Sequence, residues 1–323
     1  MKKMNGHLHV GEIGGCGRGL IYLIVIVLFG ECYSEYLVLV TDTVADCIFK
    51  SAIHNGSSRL QFSAVFKNST PPLVHPASVE YDPVERHIYW SDRNYAAIFR
   101  SYLDGTSQEI VVDPRVFSSY LDGTSQESVE DSWDLDSLEN IRALSLDTIE
   151  RKIYWIGETS EKAIYSSNFD GSDTVMILGN LNDPRAIVVN SQHDICFFGD
   201  RKRIVRFKLS SVSDLADFPA SGLVTAVTVD FTGEVVYWFD KTALEIRASN
   251  FDFVDVRSIV DMNINNHSQA RGLALYESGI YWINVNSAVF RADKDTGYNI
   301  DAVSDMVFEN PSGLFIYYSS TFS

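Results

Sequence analysis

Arg142, Arg185 and Arg271 sit in three short stretches of one pattern, IRALSLD at 141–147, PRAIVVN at 184–190 and ARGLALY at 270–276. In each, the arginine follows a proline or an apolar residue and precedes a short apolar run. PASVEYD (76–82) and VTAVTVD (224–230) repeat the pattern with Ala77 and Thr225 in the arginine's place, and PSGLFIYYSS (311–320) repeats it with Ser312. Brought side by side, three guanidinium groups form a local positive cluster suited to a carboxylate or an acidic peptide loop. Neighbouring acids such as Asp183 and Glu139 compete for the same arginines, because structural ion pairs collect these residue types too. Other chemistry is poorly supplied. HExxH, GxSxG, P-loop and CxxC motifs are absent, and the seven histidines (7, 9, 54, 75, 87, 193 and 267) show no metal-ligand spacing. No catalytic residue, metal or cofactor is expected.

The elements that must position these arginines are marked by a second recurring run. HIYWSDRNYAAIFRSYLDG at 87–105 is an aromatic, β-rich run, then a strand-like AAIFR, then an Asp-Gly turn. It recurs at 153–171, 236–250 and 280–297, and in blurred form at 38–56 and 196–211, where Phe197-Phe198 replaces Tyr-Trp. The positions Asp42, Asp92, Gly157, Asp200, Asp240 and Asn284 mark six copies with spacings of 50, 65, 43, 40 and 44. The outlying 65 has a cause: SYLDGTSQE stands at 101–109 and again at 119–127, an 18-residue tandem duplication whose removal leaves 47. All intervals then match one four-stranded blade of a β-propeller. Residues 110–137 are expected to form a surface excursion.

The order within each unit is inner strand, turn, aromatic strand, turn, third strand, Asp-Gly turn, outer strand. The first copy (37–42) has no inner strand before it, and 311–320 is an inner strand with no aromatic strand after it. The C-terminal strand is therefore expected to complete the first blade, closing an all-β, six-bladed ring without open sheet edges. The motif residues Tyr89, Trp90, Asp92, Tyr154, Trp155, Phe198, Asp200, Tyr237, Trp238, Asp240, Tyr281 and Trp282 are read as structural. Their tryptophans belong to inter-blade core, and their aspartates cap turns or accept from backbone amides.

These six copies resemble the class B (YWTD) repeats of the low-density lipoprotein receptor family. The likeness runs over about residues 36–320, although Ile156-Gly157, Phe239-Asp240 and Ile283-Asn284 depart from the motif's ending. It implies an extracellular, non-catalytic module of the lipoprotein-receptor-related, Wnt-coreceptor kind. Its ligand face is the channel mouth, where family members bind protein ligands, including loops of signalling antagonists. On that reading Ala77, Arg142, Arg185, Thr225, Arg271 and Ser312 line the mouth. Arg93, Asn94 and Tyr95 rim it, with Glu158, Arg201, Lys202, Lys241 and Asn286 from other blades. Tyr beside Arg is an interface composition. One alternative is a nidogen-like matrix propeller that binds laminin. A more distant one, by fold analogy alone, is a calcium-dependent six-bladed hydrolase.

The ends and the composition set the surroundings. Lys2, Lys3 and Arg18 precede the apolar run LIYLIVIVLF at 20–29, too short to span a bilayer comfortably and ordered like a signal peptide. Residues 1–34 are expected to be cleaved, leaving one propeller domain over 35–323 without a membrane span. The product is either secreted or the ectodomain fragment of a membrane receptor. Asn55, Asn68 and Asn266 open glycosylation sequons. Cys47 and Cys196 fall in blades on opposite sides of the ring, too far apart to pair, and are expected as free thiols. A net charge of −17 argues against nucleic acid as partner. A monomer with a protein ligand (a signalling protein, an antagonist or a matrix protein) is expected.

Overall fold

The computed structural model describes residues 36–53, 59–66, 72–113, 140–158, 162–263 and 270–318. Cleavage at 34, the sequons at Asn55, Asn68 and Asn266, and Glu139 fall outside them.

Each short inner run pairs antiparallel with the aromatic run that follows it. Pro76 lies opposite Asp92, Pro184 opposite Asp200, Val224 opposite Asp240 and Ala270 opposite Asn284. The start of every inner strand therefore stands beside the end of the aromatic motif, and both sit at one end of the blade. Among the described residues the strands form six four-stranded sheets. From inner to outer, blade 2 is Pro76–Asp82, His87–Asp92, Ala97–Tyr102 and Glu109–Val112. Blade 3 is Asn140–Asp147, Lys152–Glu158, Lys162–Asn168 and Val175–Leu178. Blade 4 is Pro184–Asn190, Ile195–Asp200, Arg203–Lys208 and Ser211–Pro219. Blade 5 is Val224–Asp230, Val235–Asp240, Glu245–Asn250 and Arg257–Asp261. Blade 6 is Ala270–Tyr276, Gly279–Asn284, Val289–Asp293 and Asp301–Ala302.

Blade 1 is assembled from both ends of the fold. Its inner strand is Pro311–Tyr318, hydrogen-bonded to Tyr36–Asp42, with Cys47–Ile53 and Ser63–Ala64 outside. The ring closes as the unpaired chain ends required, and the inner strands touch in sequence around the circle. One expectation needs correcting: residues 110–112 do not begin an excursion but belong to the outer strand of blade 2, Glu109–Val112, and residues 114–137 lie outside the described residues.

Burial explains the aromatic pairs. Among the described residues there are six apolar clusters, each drawing on two neighbouring blades: Phe239 and Ile246 of blade 5 with Leu273 and Trp282 of blade 6, for example, and Val38 and Val40 of blade 1 with Tyr281 and Ile283 of blade 6. Trp90, Trp155, Trp238 and Trp282 are all buried. Three stack on the residue opposite them in the third strand, Trp90 on Phe99, Trp155 on Tyr165 and Trp282 on Phe290. Blade 4 replaces Tyr-Trp with Phe197 and Phe198 without losing core, because Phe197 meets Phe251 and Phe198 meets Phe207. The missing motif aspartate of blade 3 has a packing cause: a Cβ at Gly157 would stand 2.9 Å from the Tyr165 ring.

Cys47 and Cys196 are free thiols in blades 1 and 4. Burial, then Asp42, pushes the Cys47 thiol up to about 11, and burial drives Cys196 well above its ordinary value, so both are poor nucleophiles at neutral pH.

The glycine turns after the third strands carry a tertiary constraint that turn chemistry alone does not require. Gly171, at φ +83°, lies so close to the outer strand of blade 2 that a Cβ would overlap the Val111 carbonyl oxygen; Gly297, at φ +70°, meets Ile259 of blade 5 in the same way. Gly171→Ala should therefore cost about 2–5 kcal/mol, from left-handed strain plus a backbone clash, and lower the urea midpoint accordingly. An unchanged midpoint would mean that the two blades are not held that tightly.

Candidate ligand-binding site

The inner strands enclose a cavity of about 270 Å³ lined by Ala77, Arg142, Arg185, Thr225, Arg271 and Ser312, together with the residues that follow each of them. All six inner-strand positions thus converge on one channel, although they differ in what they are free to do. Ser312 donates to the Pro76 carbonyl (2.8 Å) and lies 2.9 Å from Thr41 Oγ1; Thr225 donates to the Ala270 carbonyl (3.3 Å); Ala77 is buried. The two hydroxyls stitch one blade's inner strand to the next.

The arginines divide into two pairs. Arg142 reaches Asp183 (3.0 Å) with one guanidinium nitrogen and pairs with Glu158 through Nε. Arg185 donates through Nε (3.1 Å) and a terminal nitrogen (2.9 Å) to the other oxygen of the same Asp183. Arg271 is exposed, and no ion pair or hydrogen bond engages its guanidinium among the described residues. Arg93, expected only on the rim, faces this group. Partial burial of its guanidinium lowers it below the ordinary value, although the residue still reaches solvent; Arg142, Arg185 and Arg271 lower it further, against Glu158.

The rest of the rim is mixed. Asn94 donates its backbone N–H to Asp92 (3.0 Å). Tyr95 does not stand out as an exposed aromatic: it is half-buried, its ring edge-on to Phe99 at 5.6 Å, in the core between blades 1 and 2. Glu158 is committed to Arg142. Arg201, Lys202 and Asn286 are exposed and Lys241 is half-buried.

The motif aspartates hold this face in place. Asp92 accepts from Val74, His75, Asn94 and Tyr95; Asp240 accepts from Ser221, Thr242 and Ala243; Asp42 accepts from Val44, Ala45, Glu309 and Asn310. Each thus ties the turn after the aromatic strand to the segment entering the inner strand.

Deeper in the channel is a residue that sequence reasoning passed over. Glu80 of blade 2 accepts from the Leu146 N–H of blade 3 (2.7 Å) and from the Ser145 hydroxyl. Ser145 Oγ in turn accepts from Val189 N–H of blade 4 (3.1 Å). Burial pushes the Glu80 carboxyl up to about 8, against these two hydrogen bonds.

No family model matches the chain. Mouse low-density lipoprotein receptor-related protein 5 is 26% identical over 243 residues, covering 71% of this chain. The propeller in the crystal structure of a nidogen/laminin complex superposes with a TM-score of 0.67 at 14% identity, over 87% of this chain and 98% of that one. The chain resembles the class B repeat propellers of the low-density lipoprotein receptor type in sequence and in fold. The chain spans 14% of the length of the receptor-related relatives it matches. It also shares its fold with a gluconolactonase from Xanthomonas campestris, at a TM-score of 0.56 and 13% identity, over 90% of this chain and 93% of that one.

Proposed function

We propose that the class B propeller is a non-catalytic module that binds an extracellular protein through the channel-mouth face. The observation that carries this reading is a positive mouth on a chain of net charge −17. Basic residues gathered against the average charge mark a place where an acidic surface is steered and held. A metal-dependent hydrolase needs oxygen ligands converging there, whereas the inner-strand starts contribute arginines, small residues and hydroxyls already bonded to backbone. The receptor-related relative supports a signalling protein or antagonist as the ligand. The nidogen structure, solved with laminin, supports a matrix protein as a second reading.

The test is capture by the full chain from two panels, laminin preparations and secreted signalling proteins with their antagonists. Wild type is compared with the Lys202→Glu, Lys241→Glu, Arg271→Glu triple variant, whose basic side chains enter no ion pair among the described residues. Capture is expected to fall about tenfold or more in the variant at unchanged thermal midpoint. Equal capture by both proteins would place the ligand on another surface, and the panel that yields the ligand decides between the receptor and matrix readings.

A further inference from the structure

Blade 1 closes the ring, and among the described residues no covalent bond helps it to do so. Its strands Tyr36–Asp42 and Pro311–Tyr318 come from the two ends of the fold, and Cys47 and Cys196 are free. At the end of the ring away from the mouth, two tyrosine pairs join this blade to its neighbours. Tyr36 lies against Tyr276 of blade 6, with ring centroids 4.2 Å apart and planes tilted by 48°. Tyr317 meets Tyr81 of blade 2 edge-on at 5.3 Å. All four residues are half-buried. Tyr276 also donates its phenol O–H to the Glu277 carboxylate at 2.6 Å. A phenol gives up an electron most readily when a base within hydrogen-bond reach takes its proton. Glu277, held at φ +51° in the turn that follows the inner strand of blade 6, is such a base. A phenol primed for oxidation thus touches a second phenol, and two radicals formed there are already in place to couple.

We propose that Tyr36 and Tyr276 are an oxidative cross-linking site, at which a haem peroxidase with hydrogen peroxide joins them as dityrosine and seals blade 1 to blade 6. Each phenol loses one electron and its hydroxyl proton, and the Tyr276 proton passes through Glu277 to solvent. The two phenoxyl radicals form one carbon–carbon bond between ring positions ortho to their hydroxyls. The hydrogens on those two carbons then move to the phenol oxygens and restore both aromatic rings. The two electrons and two protons removed reduce one peroxide to two waters. The new bond closes a loop from residue 36 to residue 276, which removes entropy from the unfolded chain.

The test treats the dilute full chain with a haem peroxidase and limiting hydrogen peroxide. Dityrosine is read by its fluorescence in the fraction that stays monomeric, and its position by mass spectrometry of the digested protein. Wild type is expected to give a product that joins the peptides containing Tyr36 and Tyr276, lighter than their sum by two hydrogens. The cross-linked protein is expected to unfold at a higher urea midpoint than the untreated one. Tyr102 and Tyr298 are exposed, and links formed through them join separate molecules and leave with the dimer fraction. Tyr36→Phe and Tyr276→Phe keep the ring contact and are each expected to abolish the monomer product. Glu277→Gln keeps both phenols and is expected to slow product formation about tenfold or more, which mere closeness of two rings does not predict. A monomer fraction without dityrosine, or a monomer product that survives Tyr276→Phe, overturns the site. An unchanged rate in Glu277→Gln overturns the part assigned to the carboxylate.

Discussion

Glu80→Gln should leave stability nearly unchanged at pH 4 and raise it by about 3–5 kcal/mol at pH 9. The carboxyl of Glu80 is raised from 4.5 to about 8, first by burial, with the Leu146 N–H and Ser145 hydroxyl pulling the other way. A carboxyl whose value is higher in the folded state binds its proton more tightly there. Its favourable contribution is complete below about pH 4.5, declines as the unfolded chain ionises, and is lost once pH passes about 8. Glutamine cannot ionise, and its side-chain oxygen can still accept from Leu146, so the variant lacks this decline. Other titrating groups are common to both proteins, so the difference between the two urea-unfolding curves at pH 5, 7 and 9 isolates Glu80. Parallel curves across that range would show that the channel solvates the carboxylate and that blades 2, 3 and 4 are not joined through a protonated side chain.

Asp240→Ala should cost about 3–5 kcal/mol at neutral pH. The fully buried carboxylate accepts from Ser221 N–H and Oγ (both 2.8 Å) and from Thr242 and Ala243 N–H (both 3.1 Å). Truncation leaves three backbone donors unanswered and frees the segment that enters the inner strand of blade 5. Burial raises the Asp240 carboxyl, yet hydrogen bonds from Ala243, Ser221 and Thr242 outweigh it and hold the group below its ordinary value of 3.8. A depressed value means that the contribution is present above the unfolded value and is lost as pH falls through the folded one. The gap between wild type and Asp240→Ala should therefore narrow in acid. Asp240→Asn should fall between them, since its amide oxygen can still accept from part of the set. A variant as stable as wild type at pH 7 would mean that the turn and the incoming segment hold together without the carboxylate.

The six-fold repeat was legible in the sequence because its cause is local. Blade length sets the period, alternation buries one aromatic pair per blade, and the unpaired runs at 37–42 and 311–320 require each other. The same local logic placed Ala77, Arg142, Arg185, Thr225, Arg271 and Ser312 on one channel, since equal positions in equal blades must converge. Partnership was not legible. Asp183 is adjacent to Pro184 in the chain and was an evident partner for Arg185, but its second bond, to Arg142, spans two blades. Arg93 looked like any rim residue until the turn of blade 2 set it beside three other arginines. Tyr95 looked exposed until the neighbouring blade covered it. Glu80 was one variable position in an apolar strand, and its raised value comes from what surrounds it in the channel. The glycines of the Asp-Gly turns read as turn residues, yet the outer strand of the preceding blade is what leaves no space for a Cβ. Periodic sequence determines which side chains recur around the ring, because strand and blade geometry repeat. Charge compensation, burial and close approach depend on contacts between blades, and only the closed ring decides those.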